Sequence, residues 1–364
     1  MSRRPRLLLL LSLALAIAAA CDDSDADDAA GTSTPATEAA TAEAGTADAP
    51  EPAAGTEGDT EPADDAGGDT ITVIDATGEV TVPRTTEGIA TLEEVSALNL
   101  LMLGVTPETS SLFFQEPFPL AILDAEGVPV NAGEGELNVE YIATLDADLL
   151  VAINHPIITE LRDPIFQGVA PLVITDFLAN DWVAQLELLA EVTGTEERAA
   201  ALIAAVDQQI ETLAADIDAA GMTGSTFSYL FANFDGNLQI PNGGLAVDII
   251  DAVGLVRPDS ELAVDGADDF EPLSIELLGE HDAEFMVIGA RADAELDPTI
   301  PDLRTDDGVD VVTNDWGWGV ENPITALWII EDIRRIVLRG EEPLAGDDIL
   351  DIWNRVLALP DSTS

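Results

Sequence analysis

The sequence predicts an α/β protein of two similar lobes with mostly parallel sheets, joined by a single long helix. From position 70 onward, short apolar runs rich in β-branched residues alternate with stretches of helical periodicity, a pattern typical of layered α/β folds. About 295 residues follow position 69, which is more than one hydrophobic core usually holds. One helical stretch, 196–220, is much longer than the others and separates two halves of similar size.

The first predicted element is a β-hairpin, in which residues 76–78 turn between the apolar runs 70–75 and 79–82. Further strands are expected at 89–92, 149–153, 172–175, 226–231 and 285–289. Helices are expected between them, including 95–103, 139–145 and 245–253. Strands that alternate with helices in this way favour parallel pairing.

The long helix is predicted because apolar residues recur at helical spacing through 196–220 and neither Gly nor Pro interrupts them. At 1.5 Å per residue it would be roughly 37 Å long. Thr195 is expected to cap its amino end and Gly221 to terminate it. We expect this helix to act as a rigid connector between the lobes.

The first 21 residues predict export. Three arginines precede an apolar run at 7–17, which is shorter than the roughly 20 residues that span a bilayer. Small residues then precede Cys21, the single cysteine, and resemble the lipobox of bacterial lipoproteins, with Ala18 where leucine is usual. We therefore expect Cys21 to anchor the protein by lipid at the outer face of the cell membrane. A secretory signal with an unpaired thiol is the alternative.

The chain is extremely acidic, with 71 acidic residues, 13 basic residues that are all arginine, and a net charge of −58. Nucleic acid is therefore excluded as a partner, because phosphate binding needs a basic face. Fifteen acidic residues and no basic residue lie in 22–69, which also lacks aromatic side chains. This composition cannot bury a core, so we expect a disordered tether there.

These observations divide the chain into five segments. In order, they are a signal peptide, an acidic tether, an N-terminal α/β lobe, a connecting helix and a C-terminal α/β lobe, at 1–21, 22–69, 70–194, 195–221 and 222–364.

Six segments carry a resemblance to a known family. They are VIDATGEVTVP at 73–83, LLMLGVTP at 100–107, NVEYIATLDADLLV at 138–151, DIIDAVGLVRP at 248–258, LSIELL at 273–278 and NDW at 314–316. In this order they resemble motifs of the class III periplasmic binding proteins, the ferric-siderophore, haem and cobalamin receptors of ABC importers. The resemblance covers about residues 71–357, and Ala147 stands where the family usually has proline.

The resemblance implies the class III solute-binding fold and a receptor that captures a ferric siderophore, an iron complex, and delivers it to an ABC permease. Cobalamin or haem is an alternative ligand, and a surface sensor or adhesin without transport is an alternative function. We expect a monomer with no cofactor of its own. The resemblance also implies that Glu140 and Glu276, at the family's glutamate positions in each lobe, dock onto arginines of the two permease subunits.

Ligand contacts are expected in loops that follow strands. Asn154 and His155 follow one predicted strand, and Arg291 follows another. Flat apolar faces suited to a large chelate are offered by Trp182, Phe234, Trp316 and Trp318. For each of these aromatic residues, a place in the core of a lobe is the alternative.

Direct metal binding and catalysis are not expected. His155 and His281 belong to different lobes and Cys21 is the lipid site, so no histidine and cysteine ligand set exists. The sequence contains no G-x-S-x-G, G-x-x-x-x-G-K, H-E-x-x-H or G-x-G-x-x-G motif. A hydrolase that uses scattered acids is the alternative.

Overall fold

The computed structural model describes residues 69–114, 116–131, 139–155, 168–233, 235–262, 270–290, 296–297, 299–300 and 317–359. The predictions for Cys21, Phe234, Arg291 and Trp316, and those of a signal peptide and a tether, concern residues outside these ranges.

The predicted hairpin is confirmed, with β1 at Thr70–Asp75 paired antiparallel to β2 at Gly78–Pro83. Asp75 shapes it, because its Oδ1 accepts hydrogen bonds of 2.7 Å from both the backbone and the hydroxyl of Thr77. The other oxygen accepts a bond from the backbone N of Ile174, at 3.0 Å. The hairpin is thereby fastened to the first sheet.

The first sheet has five parallel strands in the order β5-β4-β3-β6-β7. They are β3 Ile89–Thr91, β4 Thr109–Ser111, β5 Val130–Asn131, β6 Leu149–Ile153 and β7 Leu172–Thr175. The predictions of β3, β6 and β7 are confirmed. β4 and β5 were not predicted because they are short and mostly polar, and carry no apolar run.

The helices of this part of the chain are α1 Glu94–Met102, α2 Pro117–Ala125, α3 Val139–Ile142 and α4 Trp182–Thr193, of which α1 and α4 contact the sheet. A 3₁₀ turn at Phe177–Ala179 follows β7. The prediction that α3 runs to Leu145 is wrong, since the helix ends at Ile142 and a turn follows it.

The long helix α5 spans Glu196–Ala220 as predicted, and Gly221 ends it with φ +75°, a left-handed conformation that favours glycine. The expected cap is wrong in its chemistry. Thr195 makes no side-chain bond to the helix, because its hydroxyl lies 2.8 Å from that of Thr193. The helix start is instead held by Arg198, whose guanidinium donates to three backbone carbonyls, those of Met102, Val356 and Leu359.

The second sheet has the order β10-β9-β8-β11. Its strands are β8 Phe227–Ala232, β9 Leu238–Pro241, β10 Phe270–Pro272 and β11 Phe285–Gly289. Only β8 and β11 pair in parallel among these strands. The sheet is therefore mixed rather than mostly parallel, because a tight turn at Asn233 folds β9 back along β8. There, Asn233 Oδ1 accepts 3.0 Å bonds from the backbone of Asp235 and Asn237.

The remaining α-helices are α6 Leu245–Ala252, α7 Asp259–Leu262, α8 Pro323–Ile333 and α9 Ile349–Leu357, and a π-helix at Arg334–Arg339 follows α8 directly. A 3₁₀ helix at Ile275–His281 precedes β11. Although we assigned 222–364 to the second lobe, α9 packs on α2 of the first half, where Trp353 Nε1 donates to Glu126 Oε1 at 2.7 Å. One apolar cluster extends from the first sheet through α5 to α8 and α9, and a smaller one lies on the other face of the second sheet.

Among the described helices, none is both long enough and apolar enough to cross a membrane.

Candidate ligand-binding site

A cavity of about 360 Å³ lies where loops from both sheets meet. Parallel strands bring the residues after their carboxyl ends to one edge of a sheet, which is where ligands of open α/β sheets bind. The first half, which is the part of the chain before α5 and contains the first sheet, supplies Phe114, His155, Phe177, Leu178 and Asn180. The second half supplies Tyr229, Phe231, Asn233, Gln239, residues 243–246, Phe270 and residues 318, 319 and 321.

The wall from the first half is a cluster of aromatic rings around His155. The imidazole meets the ring of Phe114 edge-on at 5.3 Å between centroids, and that of Phe177 at 5.9 Å. Phe113 adds a perpendicular contact to Phe114 at 5.2 Å. Burial lowers the pKa of His155, so the ring is uncharged at pH 7.

The wall from the second half follows from strand alternation in β8. Successive side chains of a strand point to opposite faces, so Phe227, Tyr229 and Phe231 share one face. Phe227 packs almost parallel to Trp318, with an interplanar angle of 8°, and Tyr229 lies 5.2 Å from the same indole. Phe231 contacts Phe270 at 5.2 Å. The face of β8 thus continues from the core into the cavity.

Trp318 is fixed by a buried acid. Its Nε1 donates to Asp332 Oδ2 at 2.8 Å, and the other oxygen of Asp332 accepts a 2.7 Å bond from the backbone of Leu344. Burial raises the pKa of Asp332 to about 7 despite these bonds. Since the indole N–H has its partner on the core side, the ring itself is what Trp318 presents to the cavity.

Gly244 and the carboxylate of Glu321 lie close together at the cavity wall. Gly244 has φ +94°, and a Cβ added there would lie 2.6 Å from Glu321 Oε1. That oxygen accepts a 3.0 Å bond from the backbone N of Leu245, the first residue of α6. The absence of a side chain at Gly244 therefore allows a carboxylate to cap α6 beside the cavity.

The structure brings two of the predicted ligand contacts, His155 and Trp318, to this cavity. Asn154 and Trp182 do not line it. The Asn154 amide is turned toward Asp176, 3.5 Å from its Oδ1, and Trp182 packs half-buried on the core at the start of α4. Each of the two instead takes part in contacts within the first half.

Several lining residues escaped sequence reasoning. Phe114 and Phe177 follow β4 and β7, and Tyr229 and Phe231 lie in a strand that was predicted. Applying strand alternation to β8 would have found the last two, because they share a face. Phe114 follows a strand that the pattern did not reveal.

Glu140 and Glu276 lie outside the cavity lining and are both exposed. Their positions are equivalent, since Leu149 at the start of β6 is the ninth residue after Glu140, and Phe285 at the start of β11 is the ninth after Glu276. β6 pairs in parallel with β3, and β11 pairs in parallel with β8. β3 and β8 are the first strands along the chain in their respective sheets. The Ser274 hydroxyl donates to the carboxylate of Glu276 and lowers its pKa, so this side chain is ionised at pH 7.

The 3₁₀ helix that carries Glu276 ends in a buried polar network centred on Glu261. One oxygen of Glu261 accepts a 2.5 Å bond from the Ser228 hydroxyl, and the other a 3.0 Å bond from Arg257 Nε. His281, the last residue of the 3₁₀ helix, lies with Nδ1 at 3.2 Å from Ser260 Oγ and 3.8 Å from Glu261. This network fixes the base of the helix without involving Glu276.

No cluster of three histidine, cysteine or acidic side chains suited to hold a metal ion occurs within the described ranges.

Two α/β halves that share an aromatic cavity, with one long helix between them in the chain, define a two-lobed solute-binding protein. A profile of the periplasmic binding protein family matches residues 89–319, and the chain belongs to that family. This family comprises extracytoplasmic binding proteins of ABC importers, which are solute receptors and not enzymes. The predicted family and fold class are thereby confirmed.

Solved structures share the fold. The FhuD protein from S. pseudintermedius aligns with a TM-score of 0.61 at 17% identity, over 74% of this chain and 99% of that one. SirA from Staphylococcus aureus, complexed with staphyloferrin B, gives 0.59 at 20% identity, over 74% and 99%. The triscatecholate siderophore-binding protein FeuA from Bacillus subtilis, complexed with ferri-bacillibactin, gives 0.52 at 20%, over 65% and 83%. A search of curated proteins finds no match.

Proposed function

We propose that this protein captures a ferric siderophore outside the cell and delivers it to the permease of an ABC importer. The observation that carries the proposal is the aromatic cavity shared by the two halves. Its volume of about 360 Å³ lies in the range of small-molecule sites. Its lining combines aromatic and aliphatic residues with three side-chain amides and the carboxylate of Glu321, which suits a bulky chelate with a largely apolar surface.

The comparisons support the choice of ligand class. SirA and FeuA are complexed with siderophores, and both align with this chain over most of their length. Within the family, haem and cobalamin are the alternative ligands.

The lipid anchor at Cys21 is also part of the proposal, because it would keep the receptor at the membrane that holds the permease. Mass spectrometry of the mature protein is expected to find an acylated Cys21 at the amino terminus. An unprocessed or merely trimmed amino terminus would contradict the anchor.

Titration of tryptophan fluorescence tests the ligand class. Because Trp318 lines the cavity and is stacked on Phe227, a bound ferric chelate is expected to quench it saturably. Trp318→Phe is expected to lose most of the quenching and to keep binding in calorimetry. Trp182→Phe, which alters a tryptophan outside the lining, is the matched control and is expected to quench as the unaltered protein does.

Titration with ferric chelates, haem and cobalamin separates the alternative ligands. Saturation by haem or cobalamin alone would replace the siderophore with that ligand. Silence toward ferric chelates, haem and cobalamin would contradict capture of any of them and favour a sensor with another ligand.

A further inference from the structure

Asp332 is a fully buried acid near the end of α8 that contacts a residue of the cavity wall without lining the cavity itself. Its Oδ2 accepts a 2.8 Å bond from Trp318 Nε1, and its Oδ1 accepts a 2.7 Å bond from the backbone N of Leu344. Both partners are donors that cannot accept, so the group between them must accept on both sides. A carboxylate does so, whereas an asparagine of the same size offers one oxygen and one N–H₂ group. The two bonds therefore account for an acid at a position where burial is costly.

The bond to Asp332 decides which edge of the Trp318 indole points away from the cavity. The backbone before Trp318 is restrained at Gly317, where an added Cβ would lie 2.8 Å from the ring of Trp328. Phe227 and Tyr229 contact the indole through their rings, which supply no strong acceptor for its N–H. Without the carboxylate, this N–H would be a buried donor with no partner, a state that favours turning the ring until water or a ligand accepts from it.

Asp332 also joins this wall to the segment that leads to α9. After α8, the π-helix ends at Gly340, which has φ +61°, and the chain turns back so that Leu344 reaches Asp332. The Arg335 guanidinium holds this turn by donating to the carbonyl of Glu342 at 2.7 Å. α9 then packs on α2 in the first half. One carboxylate thus contacts both a ring of the cavity wall and the segment that returns to the first half.

We propose that Asp332 is a positioning residue for ligand capture. It holds the indole N–H of Trp318 on the core side, so that the wall offers the ligand a ring face and no hydrogen-bond donor at this place. A ring that is ordered before the ligand arrives does not have to be ordered during binding, so the affinity depends on this bond. The inference rests on the proposed function and adds to it a residue outside the cavity lining.

Two variants of Asp332 test this role. Asp332→Ala removes both acceptors, and Asp332→Asn keeps the size but leaves one of the two donors facing an N–H₂ group. In calorimetric titrations of the full mature protein at pH 7, Asp332→Ala is expected to raise the Kd for ferrioxamine B about tenfold, and Asp332→Asn by an equal or smaller factor. Glu93→Gln alters another fully buried acid, which caps α1 outside the lining, and is the matched control. Its Kd is expected to stay within about twofold of the unaltered protein.

Trp318→Phe separates positioning from a general loss of structure. Phenylalanine keeps a ring at the wall and has no N–H, so Asp332 then has no donor on the cavity side to hold. In the Trp318→Phe background, Asp332→Ala is expected to change the Kd by less than about twofold, and the double variant should bind more tightly than Asp332→Ala alone. A tenfold loss that persists in this background would overturn the inference, because Asp332 would then act through the fold and not through the indole.

The indole N–H reports the same bond in the unaltered protein, independently of the folding of any Asp332 variant. In NMR spectra, the Nε1–H resonance of Trp318 is the one that Trp318→Phe removes. It is expected to exchange with solvent much more slowly than an indole N–H of the unfolded chain, and to remain slow when ferrioxamine B binds, since its partner lies on the core side. Rapid exchange in either state would contradict the positioning role.

The outcomes separate this inference from the proposed function. Ferri-bacillibactin is the second probe and replaces ferrioxamine B if the latter does not bind. If the unaltered protein and Asp332→Ala bind the same chelate equally well, the inference is wrong and the receptor stands. If the unaltered protein binds neither chelate, nor haem nor cobalamin, the receptor itself is contradicted and the positioning role falls with it.

Discussion

Glu93 is a fully buried acid at the amino end of α1. Its carboxylate caps the helix by accepting a 2.9 Å bond from the backbone of Ser96. Burial, together with a smaller effect of the neighbouring charge of Glu94, raises its pKa to about 7, although the bonds from Ser96 oppose the shift. Near neutral pH the folded protein therefore holds a proton on Glu93 that the unfolded chain releases at much lower pH.

This raised pKa predicts a stability that falls as pH rises. The folded state binds the extra proton between the ordinary pKa of about 4.5 and the folded pKa of about 7, so the stabilisation is complete below the first value and lost through the second. Glu93→Gln keeps the cap without the ionisation, and is expected to be more stable than the unaltered protein at pH 8 by about 3 kcal/mol at most. Urea unfolding at pH 4.5, 6 and 8 measures this difference.

Glu87→Gln is the control for that series. The side chain of Glu87 is exposed and lies seven residues before the start of the same helix. It is expected to follow the unaltered protein at every pH. A stability difference for Glu93→Gln that does not change with pH would refute the assignment of the proton to Glu93.

At the scale of residues, the sequence located some lining side chains and not others. His155 could be found because it follows a strand whose apolar run is unmistakable. Glu321 could not, since no local pattern distinguishes it from the other acidic residues of the chain. Its place is set by the approach of Gly244 and Leu245, which are distant in sequence.

At the scale of elements, two short helices present the acids that we expect to contact the permease. Glu140 on α3 and Glu276 on the 3₁₀ helix 275–281 are exposed, and each precedes an equivalent parallel strand of its sheet. Glu261, which forms a buried ion pair with Arg257, lies 3.8 Å from His281, the last residue of the 3₁₀ helix. Equivalent placement in the two halves suits residues that must meet two partner charges at once.

Removing both acids is expected to abolish delivery and to leave capture intact. In Glu140→Ala combined with Glu276→Ala, uptake of the ferric chelate should fall by about tenfold or more, because two charge pairs with the permease are lost. The Kd for the ligand should stay within about twofold, since neither side chain lines the cavity. Whole-cell uptake and calorimetry provide the two measurements.

Glu280→Ala is the matched control, because it removes an exposed acid from the same 3₁₀ helix as Glu276. Uptake should be unaffected. Normal uptake by the double variant would reject the docking role and favour a sensor, while a loss of ligand binding would indicate a structural role for these acids.

Elements with a strong apolar pattern were predictable, and those defined by tertiary contacts were not. The predicted bounds are those of β6, β7, β11 and α5. Strands buried on both faces give continuous apolar runs, and a helix buried along one stripe gives apolar residues at helical spacing, so both are recognisable in the sequence. β10, by contrast, is an exposed three-residue strand whose pairing depends on β9. Its register is set by the partner strand, which a local pattern does not contain.

At the scale of the whole molecule, the two halves are joined by more than the long helix. A single apolar cluster extends from the first sheet across α5 to the second. α9 returns from the end of the chain to pack on α2, and Arg198 ties the start of α5 to the carbonyls of Met102, Val356 and Leu359. The return of α9 was not predicted, because the contact joins segments far apart in sequence.

These connections predict that ligand binding closes the cavity only slightly. A hinge would have to break apolar contacts along α5 and the bonds of Arg198 together, so the radius of gyration measured by small-angle scattering should change by less than about 1 Å when a ferric chelate binds. Arg198→Ala leaves three carbonyls without their shared donor and is expected to give a larger change. Arg84→Ala removes a partly exposed ion pair with Glu196 at the same helix end and should behave as the unaltered protein. A contraction of several ångströms in the unaltered protein would mean that the halves move as separate bodies despite their common core.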